Sequence, residues 1–189
     1  MTSSATFRTV TDTNNELWPA ALELYHEAFP DVKGRKPDRI IAGMFGEGQG
    51  LLHALTDGES GEVQAIAFTG VLSGAKVILI DYLAVRASLR GRGLGRRLVR
   101  EIEGEARRRS LDGLLIEVEA EATPDNLARI RFWERCGFRP TEYVHSYIWV
   151  PEPYRAMTLS FDSDNPLPAD GKKLFKWITG FHERAFRRR

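Results

Sequence analysis

Apolar residues recur along the chain at two different spacings, and the spacing separates helices from strands. In residues 15–29, NELWPAALELYHEAF, the positions Leu17, Ala21, Leu24 and Ala28 keep helical intervals, with Asn15 placed to cap and Pro30 placed to stop. A second short helix is expected from about Pro37 to Phe45, because proline suits a first helical position and Ile40, Ile41 and Met44 share a face. Residues 51–72 read as two apolar strands around a Gly/Ser-rich turn at Asp57–Gly61, which makes a hairpin. KVILIDYLAV, residues 76–85, is a third buried strand. Residues 93–109 then place Leu94, Leu98, Ile102 and Ala106 four apart, the pattern of an amphipathic helix. GLLIEVE, residues 113–119, is another strand, and residues 124–138 form a helix closed by Gly137 with Phe138 beyond it. Two more strands are expected around EYVHSYIWV (142–150) and AMTLSF (156–161). In the last segment Leu174, Trp177, Ile178, Phe181 and Ala185 share one helical face, which must dock.

That order of elements is a mixed α/β domain around one sheet. A chain of 189 residues, 42% hydrophobic and 28% charged, has the makings of one globular domain and not of a disordered chain. Lys plus Arg number 27 against 26 for Asp plus Glu, so no overall basic excess draws the chain to nucleic acid or to an anionic membrane. The closing Arg187, Arg188 and Arg189 read as a solvated helix end. No apolar stretch reaches the ~20 residues that span a bilayer, and MTSSATFRTV lacks the apolar core of a leader, so a cytoplasmic protein is expected. One cysteine, Cys136, leaves no internal disulfide and no multi-cysteine zinc site; it reads as a small filler.

The chemistry concentrates in LIDYLAVRASLRGRGLGRRLVREIE, residues 79–103, where a strand delivers Gly91, Gly93 and Gly95 into a helix among Arg90, Arg92, Arg96 and Arg97. The first N–H groups of a helix are unpaired and together carry about half a unit of positive charge. Glycine lets a bulky anion approach them, and arginines add unlike charge. The expected ligand is a pyrophosphate. The spacing is neither the G-x-G-x-x-G of a dinucleotide fold nor a nucleoside-triphosphate loop with Gly-Lys-Ser/Thr. Gly46, Gly48 and Gly50 have the same period without arginines, precede a strand, and read as a plain loop.

Arg90-x-x-Gly93-x-Gly95, after the strand IDYLAV and opening a helix, closely resembles the acetyl-coenzyme A motif of the GNAT superfamily of N-acetyltransferases. A second block, Asn126 followed by ARIRFWERCGF, is similar to the family's Asn-led helix that ends in an aromatic pair and Gly-Phe. The resemblance covers the order of elements from about residue 5 to 161. It implies a GNAT-like single domain over residues 1–161, a mixed and mostly antiparallel central sheet with flanking helices, and a C-terminal extension over 162–189 as a docked helix. It implies acetyl-CoA as co-substrate, its pantetheine arm on the main chain of Leu83, Ala84 and Val85, and its pyrophosphate on Arg90, Gly91, Arg92, Gly93, Leu94, Gly95 and Arg96. Asn126 and Trp133 complete the implied coenzyme site.

The reaction implied is direct attack of a neutral amine on the thioester, which needs a base and can use an acid for the leaving thiolate. The family usually offers a tyrosine as that acid, where this sequence has Phe132-Trp133, and an indole N–H cannot give up a proton near neutral pH. The alternatives are a thiolate that leaves unassisted, Tyr143 or Tyr147 as substitute acid, or a protein that binds acyl-CoA without catalysis. For the base, Glu117, Glu119 and Glu121 alternate and are expected on one sheet face beside Asp81, with Glu119 the first choice, Asp81 the second, and Tyr147 the acid. His145 is an alternative base or a structural histidine, and Tyr147, Trp149, Pro151, Pro153 and Tyr154 an acceptor wall or a packed edge. The partners expected are acetyl-CoA and a small primary amine, with a homodimer allowed and neither nucleic acid nor membrane. A protein or peptide acceptor is the other acetyltransferase reading. The basic segment Arg86–Arg100 counts little toward a nucleic-acid footprint, because Glu101, Glu103 and Glu105 interleave with Arg97, Arg107 and Arg109 as on a solvated helix.

Overall fold

The structure, a computed structural model, describes residues 5–32, 34–46, 48–148 and 150–187. Its elements in chain order are β1 (Thr6–Val10), α1 (Trp18–Ala28), α2 (Asp38–Phe45), β2 (Gly50–Thr56), β3 (Val63–Leu72), β4 (Val77–Val85), α3 (Leu94–Arg108), β5 (Gly113–Glu119), α4 (Pro124–Arg135), β6 (Arg139–Ser146), β7 (Pro153–Ser160) and α5 (Gly171–Arg187). Among the described residues the strands form one sheet of order β1-β2-β3-β4-β5-β7-β6. The pairs β1–β2, β2–β3, β5–β7 and β6–β7 are antiparallel, while β4 and β5 run parallel from Val77↔Gly113 to Leu79↔Leu115. No helix among the described residues is long and apolar enough to cross a membrane.

Several expectations need correction. The first strand, β1, was not anticipated: its five residues pair with β2, but only its last, Val10, is buried, so its apolar signal is faint. Asn15 does not cap α1, whose N-cap is Leu17; its side chain and carbonyl instead accept the N–H groups of Leu17 and Trp18, both at 3.0 Å, closing the turn before the helix. Pro37 is the N-cap of α2 and not its first helical residue. β6 begins at Arg139, directly behind the Gly137 turn, and ends at Ser146; a register shift between Pro140 and Val144 bends it against β7. β5 ends at Glu119, so Glu121 lies in an exposed loop and the row of three glutamates is a pair. Gly50 belongs to β2, where a Cβ would stand 2.7 Å from the Met44 backbone, so close packing requires that glycine.

The chain divides into two compact units, and it passes between them inside β3, β4, α3 and α5. The first comprises residues 5–71, 80–102 and 183–187. Its core sets the edges of Trp18, Tyr25 and Phe45 against Phe68, at 5.6, 5.7 and 6.5 Å between ring centroids. Leu24, Ile40, Ile41, Leu52 and Ile66 around them are fully buried. The second comprises residues 72–79 and 103–182. Leu114, Leu115 and Ile116 of β5, Ala156 and Met157 of β7, and Leu174, Phe175 and Ile178 of α5 are buried in it.

Candidate active site

In the first unit, β4 leads through a 3-10 turn at Ala87–Leu89 into the glycine segment. Gly91 and Gly93 have φ of +77° and +83°, the left-handed region that favours glycine. No atom lies within 4 Å of where a Cβ on either would stand, so this backbone faces open space. The Arg97 N–H bonds to the Gly93 carbonyl at 3.0 Å as α3 begins, and the N–H groups just ahead of it point out of the helix end. Arg90, Arg92 and Arg96 are exposed there, and Arg90 Nε also donates to the Val85 carbonyl at 3.2 Å. Arg97 turns away, donating to the carbonyl of Ala5. An open cradle of amides with three guanidiniums at its rim fits the diphosphate of a coenzyme. Leu83, Ala84 and Val85 lie on β4 beyond Leu79, the last residue paired with β5 among the described residues.

Asp81 stands on the same strand with its side chain 5% exposed, and both of its oxygens meet Lys36 Nζ, at 2.6 and 2.5 Å. Lys36 precedes α2; its N–H donates to the Tyr82 hydroxyl at 3.1 Å, and its carbonyl accepts the Tyr25 hydroxyl at 2.9 Å. Burial, with the Asp81 charge adding to it, pushes the Tyr25 phenol up to about 12 and that of Tyr82 higher still. Both are neutral near pH 7. Removing one member of a buried pair strands the other's charge, so Asp81 holds this loop on the strand. Nothing in the sequence marked Lys36 as its partner.

The second unit holds the other polar cluster. Glu117 and Glu119 are half-buried on one face of β5, with Val118 buried between them. The Tyr147 hydroxyl donates to Glu117 Oε2 at 2.7 Å, and His182 Nε2 lies 2.7 Å from Glu117 Oε1. Glu119 meets Arg129 at the longer distance of 3.5 Å. His145 stacks on Phe175 of α5, centroids 4.3 Å apart, and meets the edge of Tyr147 at 4.6 Å. Burial holds the His145 imidazole below its ordinary value, against the opposing pull of Glu117. Tyr154 is pushed up to about 12 by burial and then by the charges of Glu117 and Glu119.

Asn126 is buried; its N–H donates to Thr123 Oγ1, the α4 cap, and its side-chain amide to the Glu121 carbonyl, both at 3.2 Å. Trp133 is half-buried between the edges of Phe132 and Phe138, with centroids 5.0 and 5.1 Å away. Cys136 is the half-buried C-cap of α4. In the expected acceptor wall, Tyr147 packs on Tyr154 at 5.5 Å, Pro151 is exposed, and Trp149 lies outside the described residues, as do Arg188 and Arg189. Of the three residues expected to do chemistry, Tyr147 is therefore bonded to Glu117, Glu119 faces Arg129, and Asp81 is paired with Lys36. Sequence reasoning took Glu117 only as a neighbour of Glu119 and missed His182.

A family model described as the acetyltransferase (GNAT) family matches residues 18–138. Among solved structures, the chain is similar to the ribosomal-protein-S18-alanine N-acetyltransferase of Escherichia coli, with 24% identity over 86% of this chain and 98% of that one and a TM-score of 0.63. A Bacillus subtilis acetyltransferase in complex with CoA is 15% identical over 84% of this chain and 100% of that one, with a TM-score of 0.60. The IAA acetyltransferase of Bacillus cereus is 16% identical, with the same coverage and TM-score. At these identities the likeness is one of fold. A search of curated protein sequences gives no match.

Proposed function

The chain belongs to the GNAT family of acetyltransferases, with acetyl-CoA as co-substrate, and from that premise we propose that it acetylates the primary amine of a small molecule, with Glu117 as the base. The observation that carries the reading is the Glu117 carboxylate held at 2.7 Å by Tyr147 on one oxygen and by His182 on the other. Both oxygens are bonded, so the plane of the carboxylate is fixed. A base must be positioned before its proton affinity matters. Glu119, whose one contact with Arg129 is long, is less firmly placed and serves the reading as the competing base.

Acetyl-CoA supplies the activated acyl group. The residues proposed to hold it are the amides of 91–96 with Arg90, Arg92 and Arg96 for the diphosphate and the main chain of Leu83–Val85 for the arm. Trp133 offers an apolar ring, and Asn126 orders the start of α4. Tyr147 is the proposed acid, since a phenol can release a proton that an indole cannot. Its bond to Glu117 sets its orientation. Tyr147, Tyr154 and His145 are packed ring on ring near two carboxylates, a setting for a compact cationic amine. The same reading places the protein in the cytoplasm, where Cys136 stays reduced.

A second reading, acetylation of a peptide N-terminus, is favoured by the likeness to the E. coli S18-alanine N-acetyltransferase. Release of CoA from acetyl-CoA with spermidine, tyramine, a free amino acid and an alanine-initiated peptide separates them: turnover confined to the peptide replaces the first reading by the second. No release with any of them returns the chain to acyl-CoA binding without catalysis. Glu117→Gln is expected to lower kcat by ~10²–10⁴ with coenzyme affinity kept, and Glu119→Gln by less than ~10-fold. The reverse ranking makes Glu119 the base.

A further inference from the structure

His182 follows Glu117 by 65 positions and reaches it from α5, in the segment that lies beyond both family motifs. Its neighbours on the helix show what docking alone requires. Leu174, Phe175, Ile178 and Phe181 are buried and apolar, and their transfer from water supplies the drive for packing. An imidazole only 8% exposed contributes less of that drive, and its polar nitrogens must be bonded or destabilise the fold. The Glu117 carboxylate supplies the partner of one of them, Nε2, at 2.7 Å. With Glu117 ionised, Nε2 carries the hydrogen and donates to Oε1, an assignment that follows from the acceptor.

The second contact makes this more than an isolated ion pair. Tyr147 bonds the other oxygen, so two donors from two different elements fix the tilt of one carboxylate. The helix that carries His182 also presses Phe175 onto His145 and meets Tyr147 at 6.2 Å between centroids. One docked helix thus sets Glu117 directly and the ring of its second partner by packing. We propose that α5 is a working part of the acetyl-transfer site, in which His182 is a positioning residue that fixes the Glu117 carboxylate for proton uptake. This rests on Glu117 being the base.

The test uses the full-length protein and four variants: Glu117→Gln, His182→Gln, His182→Met and the double variant His182→Met with Glu117→Gln. Glutamine keeps an N–H donor at the ε position, and methionine has the same length without one. With the amine of the panel that gives fastest CoA release, or acetyl-CoA hydrolysis if none does, His182→Met is expected to lower kcat ~10–100-fold, the scale of a misplaced catalytic group. His182→Gln should stay within ~3-fold of the parent, and the double variant should match Glu117→Gln alone, because residues acting as a unit are not additive. CoA affinity by calorimetry should be unchanged in all four. The parent should also show a slowly exchanging His182 ring N–H signal by NMR that Glu117→Gln shifts. A parent-like kcat in His182→Met, equal losses in His182→Gln and His182→Met, or additive losses in the double variant overturns the proposal. If His182→Met does not fold, absence of the ring N–H signal in the parent overturns it. A parent-like Glu117→Gln sinks the base reading instead, whatever His182 does.

Discussion

The glycine turn at residues 90–96 and the cluster around Glu117 are built from opposite materials. The turn is main chain: contiguous in sequence, exposed, and dependent on two backbone angles that glycine favours. The cluster is side chains: Glu117, His145, Tyr147, Tyr154, Phe175 and His182 come from β5, β6, the β6–β7 connection, β7 and α5, and meet only through tertiary packing. The first kind of site presents partial charges that stay in place whatever the neighbouring side chains are. The second kind lives or fails with single atoms, since removing one donor frees a carboxylate that two had fixed.

The contrast breaks hardest at Gly93. A valine there would have to hold φ near +83°, where a β-branched residue is a genuine outlier costing ~1–3 kcal/mol, so the turn should relax and its amides swing away. The Kd for CoA in Gly93→Val should rise ~100-fold by calorimetry, since a loss of ~2.7 kcal/mol is two decades. The open space beside the glycine means that the fold itself should survive, with far-ultraviolet circular dichroism unchanged. An unaltered Kd would show that the coenzyme is held elsewhere.

This difference in material also explains what the sequence disclosed. The order strand, glycine turn, helix could be read directly, because periodicity marks each element and the positive-φ positions 91 and 93 of the turn are glycines. Gly137, at φ +96°, closes α4 where glycine spacing put the stop. The short β1 escaped because it buries little, and β6 was displaced because its start is set by the preceding turn and its path by a register shift. Lys36 with Asp81 and His182 with Glu117 could not be read, being pairs 45 and 65 positions apart that carry no local signal. Even the glutamate alternation misled: the period is right, but the strand stops at Glu119 and gives Glu121 to a loop.

A substitution at Trp133 is expected to change less. Trp133 packs between two phenylalanine edges and stands where the family usually has its acid. If proton handling belongs to the Glu117 cluster, the indole supplies apolar surface only, and Trp133→Phe should keep kcat within ~5-fold, the scale of about 1 kcal/mol. Trp133→Tyr should do no worse. A loss of two or more decades in Trp133→Phe, with coenzyme affinity kept, would move part of the chemistry out of the cluster and onto α4.

The smallest expected effect separates the two regions by pH. His145 is held below its ordinary value by burial, the larger cause, against the charge of Glu117. The folded chain therefore takes up this proton later than the unfolded chain, which binds it near the ordinary histidine value of ~6.5. As pH falls through that value, the unfolded state gains protons that the folded state does not, and stability declines until the lower folded value is passed. The group is only partly shielded, so its share is well under ~1 kcal/mol. His145→Phe removes the titration while keeping a ring to stack on Phe175. In urea melts at pH 7 and pH 5.5, the variant should lose less stability than the parent over that interval, other groups cancelling in the difference. The turn, residues 90–96, contains no histidine. CoA affinity in His145→Phe should accordingly equal the parent's at both pH values. Equal pH losses in parent and variant would show that the His145 proton is not coupled to folding, and a changed coenzyme affinity would show that the two regions are not separate in their chemistry.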